Sequence, residues 1–62
     1  MITLKDLLGL TEDEAKALIN GAGYTPRVTK RNGDYFVITM DYQMSRVNLK
    51  IEDDVVVSAT IG

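Results

Sequence analysis

The sequence predicts an α+β domain in which one helix packs on a small sheet. Three observations lead there. Thr11 and Glu14 form a capping box, followed by apolar residues at helical spacing. Residues 46–51 alternate cleanly and place Val47, Leu49 and Ile51 on one face. Residues 55–60 are β-branched and short, as a closing strand would be. With 62 residues the chain reads as a single domain, residues 1–62. A domain of this size buries only about 60% of the surface that its unfolded chain exposes, so the core must be thin.

The helix is the best-defined element. Thr11 caps it, and Glu12, Asp13 and Glu14 put negative charge where the helix dipole favours it. Leu10 precedes the cap and can staple onto Ala15. Ala15, Leu18, Ile19 and Ala22 form the apolar stripe, and Glu12 with Lys16 is an i,i+4 ion pair. Asn20, Gly21 and Gly23 offer left-handed stops, so the helix is expected over about residues 12–20. Thr3 and Asp6 can cap a short turn across residues 4–8.

Strand chemistry follows. Pro26 suits the start of a strand over residues 27–31. Asn32-Gly33 is a hairpin signal, and residues 35–39 read as a strand returning along the first. Residues 52–54 form a turn between the strands at 47–51 and 55–60. The expected core is Leu8, Leu10, Ala15, Leu18, Ile19, Val28, Val47, Leu49, Ile51, Val55 or Val57, and Ile61. Residues 39–45 show neither a turn signal nor clean alternation. Two methionines and a tyrosine there suggest a contact surface, because methionine adapts its shape to a partner.

Composition excludes much chemistry. There is no cysteine, so neither disulfides nor thiolate catalysis is available. There is no histidine, which removes the usual general base and zinc ligand. Ser45 and Ser58 therefore lack a partner for nucleophilic attack, and no enzyme is expected. Seven basic against nine acidic side chains give a net charge of −2, where a nucleic-acid binder would carry a basic surplus. The hydrophobic content of 45% is too high for a disordered chain. Glu52-Asp53-Asp54 lacks the spaced ligands of a calcium loop and reads as a solvated turn. Gly21-Ala22-Gly23 follows a helix rather than opening one, so it reads as a C-cap, not a phosphate loop. No metal, cofactor, nucleic acid or membrane partner is expected, and the chain is expected to be a monomer. No signal peptide or membrane span is read, so a cytoplasmic location is expected unless a leader has been removed.

The stretch from Val37 to Leu49 carries the most information. Thr39-Met40-Asp41-Tyr42, then Arg46-Val47, then Gly62 resemble the reactive-site region of the potato inhibitor I family, the eglin and barley chymotrypsin-inhibitor type. Leu8-Gly9, Glu14-Ala15-Lys16 and Gly33 match the same pattern upstream. The resemblance implies an inhibitor of subtilisin- or chymotrypsin-like serine proteases. It implies a mixed sheet, in which the strands flanking the loop run parallel, and an extended exposed reactive-site loop over residues 37–45. A parallel pair is therefore expected, with the Asn32-Gly33 hairpin as a local addition.

Within the loop, Ile38, Thr39, Met40, Asp41, Tyr42, Gln43 and Met44 would face the protease, with Met40 as the specificity residue and Met40–Asp41 as the scissile bond. Arg46, Asn48 and Gly62 would support it: Arg46 bonding Asp41, Thr39 bonding Asn48, and the Gly62 carboxylate pairing with Arg46. Many plant members carry a second arginine where this chain has Asn48, and that departure predicts a less rigid loop. The alternative is a non-inhibitory binding module on the same scaffold, blocking an intracellular partner.

Overall fold

The computed structural model describes residues 3–62. Met1 and Ile2, the start of the stretch read for a signal peptide, lie outside them. The chain forms a 3₁₀ turn at Leu4–Leu7, helix α1 at Glu12–Gly21, and strands β1 at Thr25–Arg31, β2 at Asp34–Tyr35, β3 at Arg46–Glu52 and β4 at Val55–Ile61. The strands make one mixed sheet in the order β2-β1-β3-β4. β1 and β3 are parallel, and the two outer pairs are antiparallel. The α+β class, the mixed sheet and the parallel central pair are as expected from the sequence.

The helix forms for the local reasons written in its first turn. The Glu14 amide donates to the Thr11 hydroxyl at 3.2 Å, and the Thr11 amide donates to the Glu14 carboxylate at 3.0 Å. These bonds hold the Glu14 carboxyl below its usual range. The helix buries only a narrow line, Ala15 and Ile19. Leu18 stands about 100° round the helix from Ile19 and is exposed, which corrects its place in the expected core.

Two further corrections concern the core, which consists of Leu7, Ala15, Ile19, Val47, Leu49, Ile51 and Val56. Leu8 is exposed, and Leu7 is buried in its stead. In a 3₁₀ turn residues i and i+3 eclipse, so Leu4 and Leu7 share the inward side while Leu8 points away. Val56 is buried where Val55 or Val57 was expected. The β3–β4 register pairs Lys50 with Ser58 but Ile51 with Val56, so it skips Val57. That extra residue reverses the inward parity, since side chains alternate along a strand. Leu10, Val28 and Ile61 do pack on the core, although each is only partly buried.

The hairpin is much shorter than the residues 35–39 strand anticipated. β2 has two residues, and one further bond runs from the Phe36 amide to the Thr29 oxygen at 3.0 Å. β1 has its own register shift between Val28 and Lys30, and such irregularities end pairing along an edge. Past Phe36 the chain leaves the sheet as an extended segment.

Both tight turns lie at the end of the sheet remote from that segment. Asn32 and Gly33 both have positive φ, as do Asp53 and Asp54, the requirement of a type I′ hairpin. The Asp53 amide donates to the Asn32 side-chain oxygen at 2.8 Å and ties the two turns together. Nearby, Arg31 reaches Glu12 through two bonds of 3.0 and 2.7 Å, which fastens β1 to the start of the helix.

Candidate functional site

Residues 36–45 have no regular secondary structure apart from a turn at Met44 and Ser45. They run from β2 to β3, so the chain crosses over through them to lay β3 parallel to β1. Their side chains face solvent: Met40 is 94% exposed, and Val37, Tyr42 and Met44 are also largely bare. With the more modestly exposed Phe36 and Ile38, six large apolar side chains of one segment meet solvent, which is unusual for so small a domain.

Few main-chain bonds hold this loop. The Gln43 amide donates to the Gly62 oxygen at 3.2 Å, and the Arg46 amide donates to the Gln43 oxygen at 3.2 Å. Side chains from the sheet do the rest. Arg46, Asn48 and Lys50 alternate with the buried Val47, Leu49 and Ile51, so they lie on the face of β3 turned from the core. Arg46 is nevertheless only 8% exposed, because the loop and Gly62 cover it.

Its guanidinium works through Nε and Nη2. Nη2 donates to the Asp41 main-chain oxygen at 2.7 Å and to the Gly62 oxygen at 2.7 Å, and Nε donates to the same Gly62 oxygen at 3.2 Å. The Asp41 carboxylate lies 3.5 Å from Nη2. Arg46 thus grips Asp41 mainly by its backbone, with the carboxylate as a looser ionic partner. Gly62 is buried at a φ of +153°, a region that side chains rarely adopt. A Cβ there would stand 3.1 Å from the Asn48 amide nitrogen and 3.7 Å from the Tyr42 ring. Tyr42 is therefore set against Gly62 at one edge while most of its ring stays in solvent.

Asp41 is the electrostatic centre of the loop. Its carboxyl is held down to about 2 from an ordinary 3.8, chiefly by the Thr39 hydroxyl, then by the Gln43 amide, with a smaller contribution from the Arg46 charge. Gln43 Nε2 donates to Asp41 Oδ2 at 3.0 Å.

Thr39 and Asn48 do not bond each other directly, contrary to the sequence-based expectation. Arg27 stands between them. Its Nε donates to Asn48 Oδ1 at 2.8 Å, and its Nη1 reaches the Thr39 main-chain oxygen at 3.3 Å and the Thr39 hydroxyl at 3.4 Å. Arg27 lies opposite Asn48 in the parallel ladder, which is why one side chain can touch both. The loop is thus served by two arginines, the second of them on β1 rather than at position 48. Nothing local in the residues around Arg27 marks it. The signal that would find it is the β1–β3 register.

Among the described residues no group of acidic side chains is arranged to hold a metal ion, and no helix is long and apolar enough to cross a membrane. Comparison with protein-family models, curated proteins and solved structures returns no match for this chain.

Proposed function

We propose that the chain is a serine protease inhibitor that offers residues 37–45 as a substrate-like loop to subtilisin- or chymotrypsin-like enzymes. Met40 enters the main specificity pocket, and Met40–Asp41 is the bond presented for attack. One observation carries this reading above the others: an exposed, irregular segment is tied to the sheet on both sides of Met40, whose side chain stands almost wholly in solvent, by Arg27 at Thr39 and by Arg46 at Asp41. A loop held extended before contact loses little conformational entropy on binding, which favours tight association. The same ties keep the two ends close if the bond is cut, so resynthesis competes with release. The resemblance of Thr39-Met40-Asp41-Tyr42 and Arg46-Val47 to the potato inhibitor I pattern supports the same reading.

The test is incubation with subtilisin-like, chymotrypsin-like and trypsin-like proteases, following both inhibition and the first cleavage. Stoichiometric inhibition of the first two, with slow cleavage at Met40–Asp41, is expected. Rapid cleavage without inhibition, or no effect on any protease, would leave the non-inhibitory binding module as the better account. That module would use the same bare surface of Val37, Met40, Tyr42 and Met44.

A further inference from the structure

We infer that Arg27, oriented by Asn48, is the positioning residue for the amino-terminal half of the loop, and that it divides support of the loop between the two halves of a cleaved chain. This rests on the inhibitor reading for its consequence, though not for its geometry. Asn48 offers an acceptor where a basic residue could offer only donors. Its Oδ1 accepts a hydrogen bond from Arg27 Nε at 2.8 Å and so fixes the plane of the guanidinium. The planar fork then directs Nη1 to the Thr39 oxygen and hydroxyl. Arg27 and Asn48 form one device, built across two strands that lie far apart in sequence.

The placement matters once the Met40–Asp41 bond opens. Hydrolysis adds one water, leaving a carboxylate on Met40 and an amine on Asp41. Residues 1–40 then keep Arg27 together with Thr39, and residues 41–62 keep Arg46 together with Asp41. Each new end is held by an arginine of its own fragment. The parallel β1–β3 ladder and the Arg27–Asn48 bond join the fragments and hold the two ends side by side. Had both arginines stood on β3, the end at Met40 would depend wholly on contacts across the cut.

Three variants of the full chain test this: Arg27→Met, which keeps the stem and removes the donors, Arg27→Lys, which keeps the charge and loses the fork, and Asn48→Ala, which frees Nε. Backbone NMR order parameters are read first, without protease. Those at Ile38, Thr39 and Met40 should fall below about 0.6 in Arg27→Met and Asn48→Ala, while those at Asp41, Tyr42 and Gln43 hold. Arg27→Lys should resemble Arg27→Met, because a single ammonium nitrogen replaces the two separate nitrogens, Nε and Nη1, that reach Asn48 and Thr39. The equilibrium ratio of cleaved to intact chain with a subtilisin-like protease is read second. It should rise about tenfold in Arg27→Met, the loss of one charge-assisted tie. A general loss of stability would loosen both sides of the loop alike and would not move this ratio selectively. If the order parameters change as stated but the wild type inhibits no protease, the inhibitor reading fails and the Arg27 clamp stands. If the wild type inhibits, and the variants leave both order and ratio unchanged, the clamp is overturned.

Discussion

Arg46 donates two hydrogen bonds to one oxygen, that of Gly62, at 2.7 and 3.2 Å, and a third to Asp41 in the loop. One buried side chain therefore links the end of β4 to the exposed segment. Folding and loop order are coupled through it.

Arg46→Ala should lower stability by about 1–3 kcal/mol, because the buried Gly62 oxygen and the part-buried contact at the Asp41 main-chain oxygen lose a charged donor. Inhibition should suffer more than folding does, since the fold keeps its ladders while the loop loses its carboxy-terminal tie. Chemical denaturation and protease digestion measure the two effects. A variant that resists cleavage as the wild type does would place the support elsewhere.

Acid should loosen the loop before it unfolds the sheet. The Asp41 carboxyl titrates near 2 in the folded chain against an ordinary 3.8, so its folded value is depressed. Such a group contributes order that is complete above the ordinary value and is lost as pH falls through the folded one. Loop order should therefore decline between about 3.8 and about 2. An NMR titration of Asp41 checks this, with Asp41→Asn as the control that has no such transition. A midpoint at the ordinary carboxylate value would show that its hydrogen bonds do not favour the charged form.

Exchange of Met40 should change specificity without changing the fold, because its side chain is 94% exposed. Met40→Lys should move inhibition toward trypsin-like enzymes, whose pocket accepts a cation. Met40→Asp should abolish it for apolar pockets, where an unpaired carboxylate is strongly disfavoured. Inhibition constants against three protease types, with melting temperatures alongside, decide the matter. If neither exchange alters inhibition of any enzyme, residue 40 does not enter the pocket.

The register shift in β4 makes a prediction about neighbouring valines. Val56→Ala should cost about 2 kcal/mol, since Val56 is buried opposite Ile51 in the core cluster. Val57→Ala should cost under about 1 kcal/mol, because Val57 is half exposed and skipped by the ladder. Urea denaturation of the two variants tests it. Equal losses would mean that β4 runs without its irregularity.

What the sequence by itself determined lies in contacts between near neighbours. Thr11 and Glu14 are three residues apart, and their reciprocal bonds form wherever that helix starts. Asn32-Gly33 and the turn through Asp53 and Asp54 carry backbone angles set by the turn's own residues. Alternation in β3 named Val47, Leu49 and Ile51 as core because a strand's period is local. Only the tertiary structure decided the rest. One skipped residue in β4 exchanged Val57 for Val56, and the 3₁₀ phase exchanged Leu8 for Leu7. Arg27 became a support of the loop because parallel pairing set it opposite Asn48, 21 positions away. A register between distant strands comes from burying one common core, and no short stretch of sequence contains that sum.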